Sequence, residues 1–173
     1  MALVVNGDGN ITGLTAGGLP DASITQADLA ANIAGNGPAF FASRSADQSI
    51  TQSSYTRINF DSESFDTNSN YDNATNYRFT PTVAGYYLLF ASLLNNPAGS
   101  GQYVTAIRKN GSNLSPNGNL VNTAVGGGST VPATNLVYAN GTTDYFDVAA
   151  YASTASPTVQ GGSTFFGYMV RAA

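Results

Sequence analysis

Residues 71–94, YDNATNYRFTPTVAGYYLLFASLL, decide the fold. A polar segment from Tyr71 to Thr80 runs through Pro81 and Gly85 into a stretch that is apolar at nearly every position. Side chains along a strand alternate between faces. In Tyr86-Tyr87-Leu88-Leu89-Phe90-Ala91-Ser92-Leu93-Leu94, residues Tyr86, Leu88 and Phe90 therefore point one way and Tyr87, Leu89 and Leu93 the other. One row fills the core of a sheet sandwich. The other also demands cover, from within the domain or from another subunit, because large exposed apolar patches are uncommon on soluble monomers. The pattern predicts an oligomeric β-sandwich.

The pattern recurs near the C-terminus. In Thr164 to Val170, Phe165 and Met169 oppose Phe166, Tyr168 and Val170, so both faces are again apolar. Tyr87 and Leu89, together with Phe166 and Tyr168, are expected at the subunit seam. Elsewhere from Pro38 onward, short strands alternate with turns and no long helical period appears. Phe146, Val148 and Ala150 alternate with Tyr145, Asp147 and Tyr151, as in a half-buried strand. Asn110-Gly111 and Asn140-Gly141 each fall between strand-like runs and suit type I′ hairpin turns, whose two central residues need positive φ.

Composition narrows the function. The chain has 173 residues, room for one core-bearing domain and a short extension, and 42% hydrophobic residues to build the core. Only 9% of residues are charged, so neutral amides and hydroxyls solvate the surface, which suits turn-rich β architecture. A net charge of -4 with 6 Lys and Arg argues against nucleic-acid binding, which needs a basic patch. The absence of Cys removes disulfides and thiolate metal sites, and the absence of His removes most zinc and general-base chemistry. No stretch approaches the roughly 20 apolar residues that span a bilayer. The N-terminus lacks the basic region and apolar run of a secretory signal, so the product is expected to be soluble, without membrane insertion.

Several segments together carry a family likeness. Tyr71-Asp72, Tyr77-Arg78-Phe79-Thr80-Pro81 and Ala84-Gly85-Tyr86-Tyr87 resemble the heart of the complement C1q globular head. The likeness continues upstream in Ala39-Phe40-Phe41-Ala42 and Ile58-Asn59-Phe60, and downstream in Val104 to Gly111. It closes in Ser163 to Val170, which is similar to the family's last aromatic strand. That family belongs with the tumour necrosis factor-like jelly rolls. The resemblance implies an all-β jelly-roll sandwich that packs as a compact homotrimer. A longer Asn/Ser/Thr-rich loop at 61–76, a Gly-rich stretch at 126–129 and the lack of a collagen-like stalk depart from the family.

Residues 1–37 read differently from the head at 38–173. Leu3 to Val5 is strand-like, glycines punctuate 7–9 and 17–18, and Gly35 to Pro38 marks the boundary. Thr25 stands three residues before Asp28, like a capping box, and Leu29 and Ile33 share a face, which predicts a helix of two turns. The segment Ile11 to Ala30 resembles arms of bacteriophage fibre and virion-surface proteins. An extended attachment arm is therefore expected, docking through Leu3, Val5, Ile11, Leu14, Leu29 and Ile33.

Catalysis finds little support. Asp61 and Glu63 lie on one strand face roughly 7 Å apart at Cα, within glycosidase spacing, but no aromatic cleft flanks them. Asp144 and Asp147 fall on opposite faces. Serines have no His partner, and Gly126-Gly127-Gly128-Ser129 lacks the Lys of a phosphate loop. The loop from Asp61 to Asp72 offers alternating oxygens suited to calcium, yet Tyr71 and Tyr77 stand where an EF-hand needs Gly and Glu, so a solvated loop is expected and no metal or other cofactor. Tyr55, Tyr71 and Tyr103 are candidate contacts for a glycan or protein, an aromatic face beside short hydrogen-bonding side chains.

The expected protein is a non-enzymatic, trimeric structural protein of a virion surface, made in the host cytoplasm, whose arm docks on capsid or tail proteins. Three roles stay open: capsid decoration or cement, a receptor-binding tail-fibre tip recognising a host-surface glycan or protein, and a bacterial C1q-like lectin.

Overall fold

Strand-forming alternation and tight turns dominate the chain from residue 38, and strands are what it forms. A computed structural model describes residues 4–5, 11–12, 37–96, 101–115, 119–123 and 129–173. The chain divides into two units, Met1–Ala31 and Asn32–Ala173. In the first unit, β1 (Val4–Val5) pairs antiparallel with β2 (Ile11–Thr12), setting Val5 opposite Ile11. The predicted helix with Leu29 and Ile33 lies outside the described residues, as do Leu3 and Leu14. Among the described residues there is no helix.

The second unit begins with β3 (Ala39–Ser43), β4 (Gln48–Ser49), β5 (Thr56–Arg57), β6 (Ser62–Asp66), β7 (Tyr71–Asp72) and β8 (Arg78–Phe79). It continues with β9 (Gly85–Asn96), β10 (Gly101–Lys109), β11 (Ser112–Asn113), β12 (Asn119–Thr123), β13 (Ser129–Ala139), β14 (Phe146–Ala152), β15 (Thr158–Val159) and β16 (Thr164–Ala172). One sheet runs β4-β15-β9-β16-β3-β6, with β13 on the other edge of β9. The second runs β11-β10-β14-β8-β7, with β12 beside β10 and β5 beside β14. All pairings are antiparallel, so each strand keeps one row of side chains towards the opposite sheet and one row away from it.

The core is aromatic. Phe40 lies with its ring 4.4 Å from Phe79, 5.0 Å from Tyr71 and 4.9 Å from Phe165, and all four are buried. Phe79 of the second sheet meets Tyr87 of the first edge-on at 5.6 Å. Burying one such side chain stabilises the fold by about 1.5–3 kcal/mol. Gly167 makes the closeness possible: a Cβ there would fall 2.5 Å from Leu89 Cδ2 and 2.9 Å from the Leu88 carbonyl oxygen.

The first Asn-Gly turn is the predicted hairpin. Asn110 and Gly111 both have positive φ, 53° and 81°, and join β10 to β11 with Lys109 opposite Ser112. The second differs. Asn140-Gly141 leads from β13 in one sheet to β14 in the other, and of the two only Gly141 has positive φ. Asn140 Oδ1 instead accepts from the N–H groups of Thr142, Thr143 and Asp144, capping a longer inter-sheet turn. A side-chain acceptor replaces the ladder bonds a hairpin would supply.

Candidate functional site

Strand β9 turns out to present the opposite row from the one expected at the seam. Tyr87 and Leu89 are 0% exposed within a single chain, so they have no surface to offer a partner. The Tyr87 hydroxyl donates to the Val83 carbonyl oxygen at 2.7 Å, and burial pushes its pKa up to about 12. The outward row is Tyr86, Leu88 and Phe90. Register then joins it to the other half of the expected seam: Phe90 stands opposite Phe166, and Leu88 opposite Tyr168. Cross-strand partners share a face.

This face extends well beyond the predicted residues. Phe41 stacks on Phe166 at 5.5 Å and reaches Phe65 at 6.4 Å, while Phe90 lies 4.8 Å from Phe166. On the other flank, β13 places Leu136 opposite Leu88 and Tyr138 opposite Tyr86. Among the described residues seven large hydrophobic side chains remain exposed, and six of them, Phe65, Tyr86, Leu136, Tyr138, Tyr168 and Val170, belong to this sheet. Leu136 is 64% exposed, unusual for leucine in a strand. At one end a depression of about 520 Å³ is lined by Tyr86, Leu136, Val170, Arg171, Ala172 and Ala173. The contributions of Phe41 and Leu136 depend on the pairing of β3 with β16 and β6 and of β13 with β9, which periodicity alone does not give.

Two of the three candidate ligand tyrosines are core residues. Tyr71 stacks on Phe40, and its hydroxyl donates to the Phe60 carbonyl oxygen at 3.1 Å; burial drives its pKa far above the usual value. Tyr103 is 1% exposed, and its hydroxyl shares a 2.6 Å hydrogen bond with Thr154 Oγ1. Each phenol found an internal partner, which removes the cost of burying a hydroxyl. Tyr55 stays at the surface, beside Tyr151.

The acidic loop is occupied by its own backbone. Asp66 Oδ2 accepts from Tyr71 N–H at 2.6 Å, and Asp61 accepts from the Ser45 amide and hydroxyl and pairs with Arg44 at 3.0 Å. Asp72 Oδ1 accepts from Ala74 and Thr75 N–H, and Oδ2 from the backbone and side-chain N–H groups of Asn76. Among the described residues no three His, Cys, Asp or Glu side chains converge as a metal site would require. Burial opposes ionisation of Asp144, but Lys109 at 2.8 Å, the Asn110 amide and Asn140 N–H outweigh it and hold its pKa low.

The Thr75 and Ala74 amides hold the Asp72 carboxyl down to about 2, from the usual 3.8. Ionised Asp72 therefore favours the folded state above its unfolded pKa, and that contribution disappears as pH falls from about 4 towards 2. Asp72→Ala is expected to lower the thermal midpoint more at about pH 7 than at about pH 2. Melts followed by circular dichroism measure this; equal losses at both pH values exclude the electrostatic contribution.

No protein-family model matches the chain, and no curated protein matches it by sequence. Solved structures do resemble it. It is similar to the globular domain of zebrafish complement 1qA protein, with TM-score 0.61 and 15% identity over 79% of this chain and 99% of that one. It is similar to Eiger TNF from S. frugiperda, with TM-score 0.52 and 6% identity over 79% and 92%. It is also similar to PRD1 vertex protein P5, with TM-score 0.50 and 15% identity over 78% and 97%. The fold is thus a C1q/TNF-like jelly roll, as the motifs around Tyr71 to Tyr87 implied. Among the described residues no helix is long and apolar enough to cross a membrane.

Proposed function

We propose that this chain is a non-enzymatic structural protein of a virion surface, trimeric through the outer face of the sheet centred on β9, with residues 1–37 as the arm that docks on the particle and 38–173 as the displayed head. The observation that carries this reading is the aromatic face itself. Phe65 and Leu136 are exposed and Phe41, Phe166 and Phe90 half-exposed on one side of the sheet in the single chain, the condition that association with further copies relieves. The C1q-like motifs imply a homotrimer, and a vertex protein is among the similar folds. The phage-like character of Ile11 to Ala30 supports a virion, as capsid decoration or a short fibre.

A second reading, a receptor-binding fibre tip, draws on Tyr55, which remains exposed. The two differ in where the protein sits. Purified particles imaged by cryo-electron microscopy separate regular copies across the shell from a few copies at the tail. Deleting residues 1–37 is expected to abolish association with particles while sparing the trimer of the head. Retained particle binding by the truncated chain overturns the role of the arm.

A further inference from the structure

The second sheet carries, on the face away from the core, a feature that neither trimer nor arm accounts for. Strand β14 points Phe146, Val148 and Ala150 inward and Asp147, Ala149 and Tyr151 outward. Arg57 of β5 stands opposite Ala149, and Phe79 of β8 opposite Phe146, which sets Arg78 beside Asp147 on the same outer face. The guanidinium of Arg57 lies 5.7 Å from the Tyr77 ring centroid and that of Arg78 4.3 Å from Tyr145. Tyr55, two residues before Arg57, packs against Tyr151 at 5.5 Å. The third arginine on this face, Arg108, is neutralised by a two-pronged pair with Asp147, both bonds 2.7 Å.

Arg57 and Arg78 have no such neutralisation. Among the described residues neither forms an ion pair with a carboxylate, and neighbouring Asp72 spends both oxygens on the turn at 74–76. Asp72, opposite Arg78, stays ionised, so Arg57, Arg78 and Arg108 against Asp72 and Asp147 leave this face with a net positive charge in a chain whose net charge is -4. Arg57 and Arg78 are also pre-oriented. A ring beside each guanidinium restricts it, and among the described residues no acceptor takes its N–H groups, which lowers the entropy lost on binding an anion. Tyr77 holds its ring in place from a left-handed backbone, φ 49°, uncommon for a bulky residue and characteristic of functional sites.

We infer that this Tyr55-Arg57-Arg78 row binds an acidic polysaccharide, the guanidiniums taking its carboxylates and the Tyr55 ring a sugar face. Arginine matches a carboxylate in a planar, bidentate geometry, and a tyrosine ring packs on pyranose C–H groups. Two guanidiniums are too few for a nucleic-acid backbone, where affinity grows with each phosphate neutralised. The site lies on the sheet opposite the aromatic one, and it stands whether or not the protein belongs to a virion.

The test uses the full-length chain and titration calorimetry. Oligogalacturonate is expected to bind, and its methyl ester, identical except for masked carboxylates, to bind at least about tenfold more weakly. Arg57→Gln and Arg78→Gln are each expected to weaken binding by about tenfold, with circular dichroism and trimer mass unchanged, because both side chains lie outside the core. Raising salt from about 50 to about 500 mM is expected to weaken it further. Equal affinity for the methyl ester, unchanged affinity in the double variant, or preference for a single-stranded oligonucleotide overturns the assignment. So does failure of the wild-type chain to bind either oligogalacturonate or a sialylated oligosaccharide.

Discussion

Phe40→Ala is expected to destabilise the head by about 3–5 kcal/mol, the range for removing a fully buried phenylalanine. Phe40 is 1% exposed and is the ring that Tyr71, Phe79 and Phe165 share, so its loss breaks three aromatic contacts at once. Collapse of the neighbours into the space is restricted, since Tyr71 is tethered to the Phe60 carbonyl by its hydroxyl. Against a total of about 5–15 kcal/mol for a domain, this is a large share. Urea denaturation monitored by tyrosine fluorescence measures it. A loss below about 1 kcal/mol would falsify the central place given to this ring.

The second large effect concerns assembly and leaves the fold intact. Leu136→Glu combined with Tyr168→Glu is expected to convert the proposed trimer to a folded monomer. Both side chains are exposed in the single chain, at 64% and 47%, so carboxylates there cost the isolated head little. Within a trimer built on this face the same carboxylates would be stripped of water, at several kcal/mol each. Sedimentation velocity gives the mass and the far-ultraviolet spectrum the fold. An unaltered trimer rejects the aromatic face as the seam. Tyr87→Ala makes the contrast, because Tyr87 packs on Phe79 and bonds Val83; it is expected to lower stability rather than dissociate a folded head.

Much of the architecture is legible in the sequence. The period-two run at 86–94, the Asn110-Gly111 turn and the aromatic closing strand each correspond to observed elements, and the C1q-like motifs pointed to the jelly roll that the similar solved structures share. Tyrosine was the least legible residue type. Tyr55, Tyr71 and Tyr103 look alike in sequence, since a phenol is content at the surface or, given one acceptor, inside. Phe60 and Thr154 supplied partners to two of them. Arg57 and Arg78 likewise meant little alone, because the rings that orient them come from Tyr77 and from Tyr145, which is distant in the chain.

The sequence by itself determined that this is a strand-built protein with two apolar rows on β9 and β16, of which only one can face the opposite sheet. Which row that is, only the tertiary structure decided. Alternation divides side chains into two sets but names neither as inner when both are apolar. The choice falls to the second sheet, whose Phe79 packs on Tyr87, while Phe166 and Tyr168 register with Phe90 and Leu88 on the opposite side.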